Sequence, residues 1–127
     1  MRVAVLRVLL MIGDAHSLKE KRRVLRALKD RIQSRYSVAV AETGSQDLWQ
    51  KAELSAAFVA LDSRACDAGL QTLESFIRRH PGAIVTRCER AILDPRHEFS
   101  ESWVQKENPD PDYNPFEDPA ADDTLER

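Results

Sequence analysis

The chain has 127 residues, the usual length of one domain, and can bury a hydrophobic core without a metal or a disulfide framework. Its two cysteines, Cys66 and Cys88, are predicted to be buried, reduced side chains, which suits a cytoplasmic protein. The apolar run Val3–Ile12 is interrupted by Arg7 and is too short to cross a bilayer. We therefore expect neither a membrane span nor a signal peptide.

The net charge of −2 conceals an asymmetry along the chain. Residues 1–93 carry 16 Lys and Arg against 10 Asp and Glu, a balance of +6, which favours a polyanionic partner. Residues 94–127 carry 3 against 11, a balance of −8, and contain five of the six prolines. We expect a folded domain over 1–94 and an acidic, largely disordered tail over 95–127. Deleting residues 109–127 is accordingly expected to leave the melting temperature nearly unchanged.

The first half of the domain predicts a strand and a helix. Val3–Ile12 is aliphatic and rich in β-branched residues, as is typical of a central strand. Ser17 and Glu20 have the spacing of a capping box, in which Ser17 accepts from the amide of Glu20 and the Glu20 carboxylate accepts from the amide of Ser17. The helix that they begin is predicted to continue to about Arg35, with its apolar residues on one face.

The second half predicts three strands and a helix. Strands are expected at 36–42, 52–61 and 83–93, a loop at 43–50, and a helix at 64–79. Asp62 or Ser63 caps this helix. The last strand is predicted to place Ile84, Cys88 and Ile92 on one face and Val85, Arg87 and Glu89 on the other. The order β-α-β-β-α-β predicts an α+β, ferredoxin-like sandwich, in which a four-stranded antiparallel sheet carries both helices on one face.

Two segments resemble the YlxP-like family of bacterial proteins. They are DAHSLKEKR at 14–22, and AE at 41–42 followed by QDLWQ at 46–50. The resemblance covers residues 1 to about 93 and implies a ferredoxin-like fold in a bacterial cytosolic protein. Genes of that family tend to lie near those for transcription elongation, translation initiation and ribosome maturation factors. No activity is established for the family, so the resemblance implies no catalytic residues, and it does not extend to the tail.

The predicted first helix has a basic arc opposite its apolar face. Its members are the candidate phosphate contacts Lys19, Arg22, Arg23, Arg26 and Lys29, with Arg31 and Arg35 nearby. Like charges at this spacing repel one another by a few tenths of a kcal/mol per pair, and a nucleic-acid backbone relieves that repulsion. The alternative is an ordinary solvated helix surface. Trp49, in the predicted hairpin loop, either stacks a base or closes the hairpin against the domain.

Lys21 falls within the apolar face of the same helix. It either extends its ammonium group to the helix end or pairs with a carboxylate at this corner of the fold. The candidate carboxylates are Asp14, Glu42 and Asp47. We favour this structural interpretation over a catalytic one, because a single lysine without a defined partner is not an active site.

The sequence predicts no enzyme, no metal site and no cofactor. His16, His80 and His97 are scattered, and the glycines form no phosphate-binding loop. The open sheet face is predicted to carry no aromatic residue on its two central strands, which disfavours RNA binding by this face. Its predicted members are Val5, Arg7, Leu9, Glu53, Ser55, Ala57 and Val59. The leading hypothesis is a non-catalytic accessory factor that binds ribosomal or other RNA through the first helix. The alternative is a protein-protein module that dimerises through the open sheet face.

Overall fold

The computed structural model describes residues 1–13, 15–46, 48–99, 111–112 and 114–116. Its regular elements are β1 (Arg2–Met11), α1 (Leu18–Arg35), β2 (Ala39–Gly44), β3 (Lys51–Ala60), α2 (Ser63–Arg78) and β4 (Ile84–Leu93). A 3-10 turn follows at Pro95–Glu98. None of the helices in the described part of the chain is both long and apolar enough to traverse a membrane.

The four strands form one antiparallel sheet in the order β2-β3-β1-β4. Both helices pack on the same face, because crossovers of one hand from β1 and from β3 return over the same side of the sheet. The opposite face is open, so Leu6 and Val8 of β1 are buried whereas Arg7 between them is exposed. The predicted ferredoxin-like α+β sandwich is confirmed.

The hydrophobic core lies between the sheet and the two helices. Alternation along β3 buries Ala52, Leu54, Ala56, Phe58 and Ala60. Each helix contributes a stripe at three- and four-residue spacing: Leu25, Leu28 and Ile32 from α1, and Cys66, Leu70, Leu73 and Ile77 from α2. Burial of these stripes, more than helix propensity, holds α1 and α2 in place.

The helix ends follow the predicted capping with two differences. Ser17 Oγ accepts from the amide of Glu20 at 3.1 Å, but the Glu20 carboxylate accepts from the amide of His16 at 3.3 Å, one residue before the predicted donor. Tyr36, expected to begin β2, instead caps α1 and is buried in the core. Asp62 is the residue that caps α2, since its carboxylate accepts from the amide of Ala65 at 2.9 Å.

The predicted facing of β4 is wrong at its start. Leu9 of β1 pairs with Arg87, whereas Leu10 pairs with Val85, so Thr86 is an extra residue in a β-bulge. The bulge reverses the alternation: Val85 packs against the core and Ile84 is 66% exposed. Cys88 and Ile92, after the bulge, share one face as predicted and pack against the core, but Ile84 does not lie with them.

Part of the tail lies against the domain. The Asn114 side chain donates to Thr72 Oγ1 of α2 at 3.0 Å, and Phe116 makes ring contacts with Phe58 and Tyr36 at centroid distances of 4.7 and 4.9 Å. Residues 114–116 are thus an aromatic anchor within a segment that was expected to lack structure. The 3-10 turn at Pro95–Glu98 is a further ordered part of the predicted tail, whereas residues 100–110, 113 and 117–127, for which disorder is predicted, lie outside the described residues.

Candidate nucleic-acid interface

The basic arc of α1 is formed as the helical spacing predicts. Lys19, Arg22, Arg23 and Arg26 are exposed, and Lys29 is half-buried. None of the five forms an ion pair or a side-chain hydrogen bond with the part of the chain that the structure describes. By contrast, Arg7, Arg78 and Arg90 each pair with a carboxylate. Among the described residues, the α1 face is therefore a positively charged surface without paired carboxylates.

The local sequence of α1 explains why these cations find few partners within the helix itself. Residues 18–35 contain eight Lys and Arg but only two acidic residues, Glu20 and Asp30. Glu20 is occupied at the helix N-terminus, where a carboxylate is also favoured by the helix dipole. Cations three and four positions apart, such as Arg22 and Arg26, therefore repel one another with no acidic neighbour interposed.

Lys21 is the most buried charged side chain in the described structure, with 1% of its surface exposed. Its Nζ donates to the carbonyl oxygens of Ser45 at 2.5 Å and Leu48 at 2.6 Å, and it lies 3.0 Å from Glu42 Oε2. Two N–H donors of the ammonium group are therefore used in hydrogen bonds, and its charge faces the Glu42 carboxylate. Glu42 Oε2 is itself buried without a hydrogen bond, so the ion pair is the interaction that compensates it.

The Lys21 contacts organise the loop between β2 and β3. Ser45 has a φ of 60°, in the left-handed region that a residue with a side chain seldom adopts, and its carbonyl faces the lysine. The amide of Leu48 donates to the same carbonyl oxygen at 3.2 Å, while the carbonyl of Gln50 accepts from Ile12 at 2.8 Å. The buried Lys21 ammonium group therefore holds this loop in place, because a loop this short cannot form a hydrophobic core of its own.

This loop presents Trp49 at the start of α1. Trp49 is 42% exposed, and its ring makes an edge contact with His16 at a centroid distance of 6.2 Å. Neighbouring Leu48 is 49% exposed. The indole therefore does not close the hairpin against the core, but forms an accessible aromatic surface beside the N-terminal half of the basic arc.

The structure brings Lys21 together with one of its three predicted carboxylate partners. Lys21 and Glu42 meet, although 21 residues separate them in the sequence. Asp14 and Asp47, the other two carboxylates considered, lie outside the described residues. The Lys21 ammonium group is held by the two carbonyl oxygens and by the Glu42 carboxylate. Within the described ranges, no three His, Cys, Asp or Glu side chains converge as metal ligands would.

Arg31 and Arg35 do not extend the basic arc as the sequence suggested. Both turn toward α2, where they line a hollow of about 160 Å³ together with Phe76, Arg79 and His80. Arg79 and His80 were not among the predicted site residues. Nothing in the local pattern links them to α1, since each follows the last turn of α2 and has the sequence context of an ordinary helix end.

The open sheet face divides into two halves. One half is polar: Arg7 pairs with Glu89, which also binds Arg87 at 3.0 Å, and Glu53 accepts from Thr43 at 2.6 Å. These contacts raise the pKa of Arg7 and hold the pKa of Glu89 below its usual value, first through their mutual hydrogen bond. The other half is apolar, with Val59 and Leu93 more than half exposed. The expected apolar face is therefore only partly present, and the described part of it has no aromatic side chain.

The protein is an α+β sandwich of two helices and four strands. Two features distinguish it: the basic arc of α1, and the β2–β3 loop that Lys21 of α1 holds in place. The family model described as "Protein of unknown function (DUF503)" matches residues 3–90, and the chain belongs to that family. Among curated proteins, it is 38% identical over 71 residues to "Uncharacterized protein YlxP" of Bacillus subtilis (strain 168), a match covering 56% of this chain and 77% of that protein. The resemblance to YlxP-like proteins is confirmed.

Proposed function

We propose that this protein is a non-catalytic, RNA- or ribosome-associated accessory factor of translation or ribosome maturation, acting in the cytoplasm. The observation that carries the proposal is the set of five α1 cations without a partner in the described structure. Trp49 adds an exposed aromatic ring beside them, and base stacking on such rings contributes about 1–3 kcal/mol per base in single-strand-binding proteins. The genomic context implied by the YlxP-like resemblance points the same way.

The proposed binding mode has a defined electrostatic signature. Each phosphate contact to a single strand releases counterions worth about 0.7 in the slope of log K against log salt. If all five cations contact phosphates, the slope is about −3.5, and affinity falls roughly 100-fold between 50 and 200 mM salt. Such contacts position a nucleic acid without reading its sequence, so we expect weak sequence preference.

The acidic tail fits the same proposal as an internal competitor. Phe116 is anchored against Tyr36 at the end of α1, and residues 117–127 that follow contain five acidic residues. Eleven residues reach at most about 36–40 Å, more than the roughly 27 Å length of an 18-residue helix. The tail is thus long enough to cover the basic arc and lower non-specific affinity.

The test is co-sedimentation with purified ribosomal subunits at low and near-physiological salt. Charge reversal at Arg22, Arg23 and Arg26 is expected to abolish binding while the far-UV circular dichroism stays unchanged. The matched pair Arg23→Glu and Arg64→Glu changes net charge equally on two exposed helix positions, and only the first is expected to weaken binding. Equal losses in both would reduce the effect to net charge, and unchanged affinity in the triple variant would refute the proposal.

A second candidate function is a protein-protein module that dimerises through the open sheet face. The exposed apolar half around Val59 and Leu93, next to a shallow hollow lined by Val5 and Ala57, favours it. Sedimentation velocity at tens of micromolar protein discriminates the two. A monomer at that concentration removes the dimer candidate, whereas a dimer lost in Val59→Asp would support it.

A further inference from the structure

The hollow between α1 and α2 concentrates positive charge. Its lining consists of Arg31, Arg35, Phe76, Arg79 and His80, and no carboxylate is among these residues. Its volume of about 160 Å³ is at least ten times the ~10–15 Å³ that one water molecule requires. The hollow is distinct from the basic arc, because Arg31 and Arg35 lie on the flank of α1 that faces α2.

Aromatic rings hold two of the guanidinium groups in place. Arg31 lies over the ring of Phe76 at 5.9 Å, and Arg35 lies over the ring of Tyr36 at 5.7 Å while its Nε donates to the Tyr36 hydroxyl at 3.1 Å. The planar faces of these groups are therefore used for stacking, which leaves N–H edges for a ligand. No ion pair joins Arg31, Arg35 or Arg79 to a described carboxylate.

His80 lines the hollow beside the three arginines. Its Nδ1 is buried and has no hydrogen-bond partner in the described structure. Burial, and secondarily the charge of Arg31, lower the pKa of this imidazole.

The balance of charge favours a doubly charged anion. Three guanidinium groups face the hollow, and the carboxyl ends of α1 and α2 offset at most about half a charge each. The remaining positive charge is about two. A phosphate monoester or inorganic phosphate carries about −1.5 to −2 at neutral pH, and its oxygens suit the fork of an arginine. A carboxylate or a phosphodiester carries only one negative charge.

We propose that the hollow formed by Arg31, Arg35, Arg79 and His80 is a binding site for a dianionic phosphate group, either inorganic phosphate or the terminal phosphate of a monoester. This site is independent of RNA binding by the basic arc, and either proposal stands if the other fails. Phosphate oxygens accept from the three guanidinium groups, and the added negative charge beside His80 favours the protonated form of its imidazole. Binding therefore raises the pKa of His80.

The test follows the histidine signals of the full-length protein by NMR during titration with inorganic phosphate. Potassium chloride at matched ionic strength is the control titration, and His16 and His97 are internal controls. We expect a saturable chemical-shift change confined to His80 and an upward shift of its titration midpoint. In Arg79→Ala the dissociation constant should be roughly two- to fivefold larger, the range for exposed charge pairs. A response that does not saturate, or that is unchanged in Arg79→Ala, overturns the proposal.

Two further arms separate the possible occupants. Titration with a ribonucleoside 5′-monophosphate shows whether an ester is accepted, because a response of His80 to phosphate alone limits the site to the free ion. The full-length variant Glu117→Gln with Asp118→Asn tests the carboxylates that directly follow the Phe116 anchor. Phosphate binding in the unaltered protein supports the proposal, whether or not this variant strengthens it. Binding seen only in the variant overturns it, since the tail would then be the native occupant.

Discussion

Replacing Lys21 by methionine tests whether one buried ammonium group organises the corner between α1 and the β2–β3 loop. Methionine retains most of the apolar volume of the lysine stem but has no donor. The substitution leaves the carbonyl oxygen of Leu48 without its lysine donor, and leaves that of Ser45 with the amide of Leu48 alone. It also leaves Glu42, whose side chain is 20% exposed, without its counter-charge.

The magnitude follows from how much of this corner water can reach. Breaking a buried ion pair by removing one partner costs about 3–5 kcal/mol, and each carbonyl stranded away from water adds to that cost. Because Glu42 is partly exposed and the loop is at the surface, the lower end applies. We expect Lys21→Met to lower the free energy of unfolding by about 3 kcal/mol, and the melting temperature by roughly 12 °C or more.

Urea denaturation followed by far-UV circular dichroism measures this loss. The matched control is Lys19→Met, a lysine two residues earlier that is exposed and unpaired in the described structure, for which a change within about 0.5 kcal/mol is expected. In the double variant with Glu42→Gln, no unpaired carboxylate remains, so its cost should be smaller than the sum of the single costs. A cost below about 1 kcal/mol for Lys21→Met, as for an exposed pair, would refute the reasoning.

Three other substitutions test packing, the tail and acid sensitivity. In Gly69→Ala the new methyl carbon would lie 2.6 Å from Cζ of Phe58. The cost of overpacking, about 1–3 kcal/mol, should outweigh the gain in helix propensity of about 1 kcal/mol, so the melting temperature should fall. A higher melting temperature would contradict this. Phe116→Ala removes a half-buried ring and should lower the free energy of unfolding in urea by about 1–2 kcal/mol, whereas no change would leave the tail independent of the fold. Hydrogen bonds from the guanidinium group of Arg96, and secondarily from its backbone amide, hold the pKa of Asp94 at about 2, below its ordinary 3.8. The melting temperature should therefore exceed that of Asp94→Asn by its full margin above pH 3.8, and this margin should vanish toward pH 2.

The Phe116 prediction replaces an expectation drawn from composition. The tail is acidic and contains most of the prolines, which favours disorder. A single aromatic side chain among such residues does not alter that composition, yet it contacts Phe58 and Tyr36. Deletion of residues 109–127 is now expected to lower the melting temperature, because the anchor is lost with the acidic residues.

The amino-acid sequence by itself determined the elements, their order and most of the core. Hydrophobic periods of two and of 3.6 residues reflect geometry within a single strand or helix, so they can be read without knowledge of the neighbours. The cap at Ser17, the stripe of Leu25, Leu28 and Ile32, and the basic arc opposite it all follow from such local spacing. The α+β class then follows from the order of the elements and the handedness of the crossovers.

Only the tertiary structure decided how these elements meet. The bulge at Thr86 depends on the pairing of β4 with β1, and it reverses a facing that the local alternation predicted. Two acceptors of Lys21 are backbone carbonyls 24 and 27 residues away, and backbone atoms leave no mark on side-chain pattern. Arg79 and His80 join Arg31 and Arg35 because α2 packs beside α1. Contacts between distant segments set these features, and their energies come from burial and charge pairing that no local window of sequence contains.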